Sequence, residues 1–495
     1  MELPSPWLTF AILVHGVLGS YVEMLSLIIS RLTTPLNHFY NESLTLHYGI
    51  SLDERGVSEV MSLVGNVTLI GSIFSTIFLL PKMDNWGRKY ISVYLTGFTS
   101  MIASILIVIS KHIVSVESFF VAQFFIGAVT PFRNGVVKLY IAECSPDSIR
   151  GFGTQSVTAL AALMTLVSTL LSLEQVFGTD DRWQNIGLIS LCMCIFFVIF
   201  GSLIPESPKY LCFKNFPKEK TTNSIKTFHG KNSDVQKILE DYSCEFHLTK
   251  STSMSFKELW SDPTLRDSIF LIFISAMVHS FSSYQILSLN NLPLKMRYGF
   301  TNSDALLLDT VLGFSSLPFV VLLPYLLEKV GRRKLFLAAM VLNVFSSFLM
   351  FFAQVFFITV GPGMITRSIA IFFSLTNLVA IFLGTGFMGI ILIADLLPPS
   401  GKVAATQTLL LSTNFVSMGV NFGFATLEPF FGAFIHVPFV IGQGFFLHYC
   451  YYNLPETKGL AVYENFEQIR SPQGSGRHSL VGESRNQSFS SYGSV

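Results

Sequence analysis

The chain has 495 residues, of which 51% are hydrophobic and only 13% charged, with 32 Lys and Arg against 31 Asp and Glu. Soluble domains carry about 25% charged residues, so the composition excludes an ordinary soluble enzyme. A formal net charge of +1 with no basic stripe excludes an electrostatic nucleic-acid binder, which leaves an integral membrane protein whose 48 Phe suit helices facing lipid.

Crossing a bilayer core of about 30 Å takes roughly 20 apolar residues at about 1.5 Å each. In chain order, twelve such runs are predicted at 7–28, 59–80, 90–110, 117–141, 153–173, 185–204, 267–289, 304–327, 335–355, 368–394, 403–426 and 430–452. The first has no Lys or Arg ahead of it and is long enough to span, so it reads as a transmembrane helix rather than a signal peptide. The seventh is diluted by Ser280, Ser282, Ser283, Gln285 and Ser288. The expected fold class is an all-α membrane protein, since the short alternation of a β-barrel is missing.

The implied domains are an N-terminal bundle at 1–204, a polar linker at 205–266, a C-terminal bundle at 267–452 and a tail at 453–495. The linker is expected to form helices near 233–245 and 254–261. The tail's last 25 residues hold eight serines and are expected to be disordered. Placing both termini in the cytoplasm puts 23 Lys and Arg inside, 7 outside and 2 (Arg133 and Lys138) within the membrane, in line with the positive-inside rule. The sequon at Asn41 then lies outside as a glycosylation candidate, whereas the one at Asn66 falls within a span. Cys192, Cys194 and Cys450 sit in apolar runs, Cys144, Cys212 and Cys244 in inner segments, and all six read as unpaired.

Three charged motifs occur twice in the same order. Asp84-Asn85-Trp86-Gly87-Arg88-Lys89 pairs with Glu328-Lys329-Val330-Gly331-Arg332-Arg333. Glu143 with Arg150 pairs with Asp395 and Lys402, and Pro205-Glu206-Ser207-Pro208-Lys209 pairs with Pro455-Glu456-Thr457-Lys458-Gly459. The offsets are 244, 252 and 250 residues, so two six-helix halves share one design. Parallel halves of this kind hold a solute site between them. Acids and Arg groups meeting at neighbouring helix ends are expected to latch the cytoplasmic side and to part as the halves rock. The gating set is Asp84, Arg88, Lys89, Glu143, Arg150, Glu206, Glu328, Arg332, Arg333, Asp395, Lys402 and Glu456. Solvated loop charge is the bland alternative, since single exposed pairs contribute about 0–1 kcal/mol.

These motifs resemble those of the sugar porter family of the major facilitator superfamily, nearest to the facilitative glucose transporters, over residues 10 to 465. The resemblance implies two pseudo-symmetric bundles, short intracellular helices and alternating access. Asp395 stands where the family has Glu, Lys402 where it has Arg, and Gln123 where it has Arg. The pocket departs further. His279-Ser280-Phe281-Ser282…Gln285 replaces a Gln-Gln-Leu-Ser…Asn signature, and Val157 takes the place of a Gln, with Gln155 two residues earlier. Gly384–Ile390 replaces a Pro-rich stretch bearing Trp, and Asn414 stands without the neighbouring Trp.

Amides recognise sugars by donating and accepting at once, which makes Gln285 the leading ligand candidate, followed by His279, Ser282, Asn290, Gln155 and Asn414. Asn421 has a similar claim, with helix packing as the alternative. Glu23 and Arg133 form a possible coupling or anion site, because ionisable groups inside a membrane are functional candidates. Lys138 is expected to snorkel. There is no nucleotide-binding loop, no metal cluster and nothing catalytic in the sequence. The reading is a non-enzymatic carrier of a small polar solute, foremost a hexose moved down its gradient, in the plasma membrane. It needs no cofactor, nucleic acid or obligate protein partner. Alternatives are a carrier of an organic anion, a proton symporter, or a transporter-like nutrient sensor.

Overall fold

The computed structural model describes residues 4–146, 149–230, 233–249, 256–386, 388–397 and 401–456. Among these, the chain forms twelve membrane-length rods and shorter helices between them. Eight stretches are apolar and long enough to cross a membrane, one of which, Ala404–Asn453, contains two rods; a bent pair adds a ninth. The fourth and eighth rods fall outside that count, and both carry ionisable residues, among them Arg133, Lys138 and Asp309.

Several rods are broken where the backbone has a local reason. The first runs through Pro6–Gly16, a tight 3-10 turn at Leu18–Ser20, and Tyr21–Arg31. The seventh is two helices, Pro263–Ser280 and Ser283–Arg297, parted where Ser282 takes an extended conformation at φ −139°. The tenth runs as Met364–Ala380, a widened turn at Ile381–Thr385 and Met388–Leu396, with a bend of 44°. Gly384 at φ +128° makes that bend, a conformation L side chains rarely adopt. A matching widened turn, Phe132–Val136, interrupts the fourth rod between Val116–Pro131 and Val137–Cys144. Such π-turns recur at functional sites, and these two occupy equivalent places in the halves.

The connecting segments contain more helix than the composition suggests. Thr33–Tyr48 is a helix in what reads as a loop, buried on one side through Phe39 and Tyr40. The linker holds Pro208–Phe213 and Lys218–His229 besides the expected Val235–Thr249 and Phe256–Ser261. Lys218–His229 leaves little trace in the sequence because its apolar side is short; Ile225 and Phe228 are its buried anchors. The expected disordered tail lies outside the described residues from position 457 onward, and so does the Cys244 side chain. The other five cysteines are free.

Inside the first half, Glu54–Phe78 and Val116–Pro131 approach backbone to backbone. A Cβ on Gly127 would lie 1.8 Å from the Thr68 carbonyl oxygen, and one on Gly71 would lie 2.1 Å from that of Phe124. Small residues permit this closeness in membranes, where packing rather than water drives association. The halves then meet through a reciprocal pair. Gly65 of the first half seats Leu289 of the second, and Gly313 in Asn302–Val330 seats Leu166 in Arg150–Leu171. Gly65 and Gly313 are 248 residues apart, within the range of 244 to 252 that separates the charged motifs.

Candidate functional site

The two Gly-Arg turns lie against the acids that follow the sixth and twelfth rods. Gly87 has φ +95° and Gly331 φ +101°. A Cβ at either would fall 2.5 Å from Glu206 Oε2 or 2.6 Å from Glu456 Oε2, so glycine is required twice over, for its backbone and for its missing side chain. The carboxylates use the space to cap helices. Lys89 N donates to Glu206 Oε1 at 2.9 Å, and Arg332 N donates to Glu456 Oε1 at 2.9 Å. The neighbouring cations close the ends of the same rods: Lys89 Nζ donates to the Ser202 carbonyl at 2.8 Å and Arg333 to that of Tyr451 at 2.7 Å.

Arg88 is buried, with Nε 3.2 Å from Glu143 Oε2 and Nη1 3.1 Å from Asp84 Oδ1. Ser207 Oγ donates to Glu143 at 2.6 Å, and the Arg88 guanidinium lies over the Tyr210 ring at 5.1 Å. Burial pushes the Glu206 carboxyl above the usual carboxylate range, against the pull of the Lys89 and Ser207 backbone N–H groups. Asp84 and Glu143 belong to the first half and Tyr210 to the linker that follows it, while Arg332 and Arg333 of the second half meet Glu456 just beyond the twelfth rod. The side chains of Arg150, Glu328 and Asp395 lie outside the described residues. Lys402 begins the eleventh rod, Lys402–Phe431.

Where the halves meet lies a seam of amides and hydroxyls. Gln285 Nε2 donates to Asn421 Oδ1 at 3.1 Å, while Ser417 Oγ donates to Gln285 Oε1 at 3.1 Å. Asn414 Nδ2 crosses to Ser72 Oγ of the first half at 3.0 Å, and Ser62 Oγ donates to the Asn421 carbonyl at 3.1 Å. The break in the seventh rod turns Gln285 toward this seam. His279 is half-buried against Tyr284, ring centroids 4.6 Å apart, with Gly386 close by. Ser282 Oγ donates back to the His279 carbonyl at 2.6 Å, and Asn290 Nδ2 to that of Ile286 at 3.3 Å, so these two are occupied locally. Gln155 lies in Arg150–Leu171, and its side chain is outside the described residues.

Arg133 docks on the break in the first rod. Its Nε donates to Glu23 Oε1 at 2.9 Å, Nη1 to the His15 carbonyl at 2.5 Å and Nη2 to Ser20 Oγ at 3.2 Å. A Cβ on Gly19 would press to 3.3 Å from Nη1, so the small residue makes room for the guanidinium. The charge of Arg133 is therefore answered inside the first half.

One cluster escapes the sequence reading. Asp309 accepts from Arg31, from Lys295 and, at 2.7 Å, from Asn291 Nδ2. An Asp inside the predicted eighth span was the signal available for it.

Two bundles of six rods, a polar seam between them and charged corners at one end define a membrane carrier of the major facilitator fold. The chain belongs to the sugar (and other) transporter family, whose model matches residues 12–468. Among curated relatives it is 23% identical over 441 residues to facilitated glucose transporter member 1 of Gallus gallus, covering 87% of each chain. It is 22% identical over 474 residues to member 3 of Mus musculus, covering 94% of this chain and 92% of that one. Among solved structures, the inward-open xylose transporter XylE of E. coli superposes with a TM-score of 0.72 at 16% identity, over 94% of this chain and 99% of that chain. The proton:xylose symporter XylE bound to 6-bromo-6-deoxy-D-glucose gives 0.70 at 17% identity, over the same shares.

Proposed function

We propose that the protein is a facilitative hexose carrier working by alternating access, in the plasma membrane, with the Gly-Arg face and both termini in the cytoplasm. The observation that carries this reading is the seam of Gln285, Asn414, Ser417, Asn421 and Ser72 between the halves, because amides and hydroxyls match the vicinal hydroxyls of a sugar ring. The glucose transporters and the xylose transporter among its relatives support a sugar as the solute. Gln285 and Asn414 are the leading ligands, with His279 and its Tyr284 neighbour as the flank. Arg133 is paired with Glu23, which removes the motive for an anionic solute.

In this reading the corner charges form the cytoplasmic gate. The contacts of Arg88 and Lys89 stay with the first half and those of Arg332 and Arg333 with the second, so this gate closes as two braced corners come together. Asn41 is a glycan acceptor on the outer face; its Oδ1 accepts from Leu52 N at 2.8 Å and its Nδ2 is the site of attachment.

The test is uptake of labelled hexose into proteoliposomes. Saturable flux, unchanged when a pH gradient is collapsed, supports the reading; failure of a full hexose panel overturns the substrate. Gln285→Ala removes hydrogen bonds of about 1 kcal/mol each and should raise KM roughly fivefold to tenfold, whereas an unchanged KM removes Gln285 as a ligand.

A further inference from the structure

Asp309 sits in the first turns of Asn302–Val330, on the face away from the Gly-Arg turns, and gathers three donors from two different halves. Lys295 and Asn291 come from its own half, on Ser283–Arg297. Arg31 comes from the other half, at the end of Tyr21–Arg31. Their burial is graded. The Lys295 side chain is 1% exposed, Asp309 10% and Arg31 16%, so the cross-half partner is the one nearest water. Arg31 Nε is buried with no partner among the described residues, so Asp309 is the acid that holds this guanidinium.

A buried carboxylate that loses its sole cation is costly, whereas one that keeps a cation and an amide is not. We infer that Arg31–Asp309 is a releasable bolt on the gate opposite the Gly-Arg turns, with Lys295 and Asn291 keeping the Asp309 carboxylate satisfied whenever Arg31 withdraws. The inference rests on the alternating-access reading above and adds the residues that close this face. Parting the halves there frees Arg31 into the water entering the mouth and strands no charge. Weaker contacts at the rim follow the same path: Glu174 of the first half accepts from Asn302 and from Ser303 Oγ, and Arg55 lies over the Phe430 ring at 4.9 Å. These exposed contacts break more easily than the bolt.

The experiment uses the full chain, freed of its native cysteines, in lipid nanodiscs. Spin labels go on Leu46→Cys and Met364→Cys, both exposed and one on each half at this face. Distances are read by double electron–electron resonance without any solute. Arg31→Gln should raise the long-distance population by about tenfold or more, and Arg31→Lys should return it toward the parent. Asp309→Asn should lengthen the distance too, which keeps the test alive if Arg31→Gln does not fold. Lys295→Gln should leave the short distance dominant, since the cross-half pair stays. Unchanged distances in Arg31→Gln and Asp309→Asn, or equal lengthening in Lys295→Gln, overturn the bolt. Hexose flux is scored separately. Lengthened distances in a protein that moves no hexose would spare the bolt and sink the substrate, and normal flux with unmoved distances would do the reverse.

Discussion

On the Gly-Arg face Arg88 is clasped by Glu143 and Asp84 inside the first half, whereas on the opposite face Arg31 reaches across to Asp309 in the second. Both arrangements are Arg–carboxylate pairs at the ends of membrane rods, yet they have different consequences. A pair within one half is made whenever that half is folded, so it contributes to the fold and is indifferent to how the halves are tilted. A pair across the halves exists in one tilt only, so it contributes to that state alone. The same chemistry thus serves as masonry at one end and as a switch at the other, and the partner's location decides which.

That contrast can be broken by substitution. The largest effect is expected from Arg88→Ala, which leaves Glu143, itself only 8% exposed, with Ser207 as its remaining buried partner. Losing one member of a buried pair costs about 3–5 kcal/mol, so the purified protein should melt markedly lower or fail to elute as a single species. A variant that kept its melting temperature but shifted the distance between the halves would move Arg88 into the switching class. Next comes Gly87→Ala, which forces a Cβ onto a left-handed backbone and into Glu206; about 1–3 kcal/mol of destabilisation should appear in the same melt. Gly444→Ala, where a Cβ meets nothing within 4 Å, is the control and should melt like the parent. The smallest effect belongs to Ser62→Ala, which removes the hydrogen bond to the Asn421 carbonyl across the halves. Its cost of about 0.5–1.5 kcal/mol should show in the opening equilibrium rather than in the melt.

The rods, the twofold repeat and the Gly-Arg corners were legible in the sequence because hydropathy runs and a fixed displacement survive in one dimension. Gly87 and Gly331 announce themselves by their charged neighbours, and each turns at positive φ against an acid. The broken seventh rod was legible only as a dilution by serine: Ser282 ends the helix through its backbone conformation, which no residue type there dictates. The helix Thr33–Tyr48 was missed because its apolar side is interleaved with polar residues. The candidate ligands were half legible. Gln285 was found as a lone amide, but its partners Ser417 and Asn421 follow it by more than 130 residues and become neighbours only through tertiary packing. Arg31 and Asp309 are 278 residues apart, and Arg31 and Lys295 counted only as outer loop charges until the fold brought them to one acid.

The linker bears on how far the halves can swing. Ser5 Oγ donates to the Thr227 carbonyl at 3.2 Å and Ser224 Oγ to that of Glu206 at 2.7 Å, which moors Lys218–His229 to the first half. Val235–Thr249 rests on Pro208–Phe213 and so rides with it, while Phe256–Ser261 rests on the start of the seventh rod. Thr249 and Phe256 are seven residues apart in the chain. Fully stretched, seven peptide steps reach about 25 Å. With both helices docked, this leash sets a hard ceiling on the separation of their anchor points in every stage of the cycle.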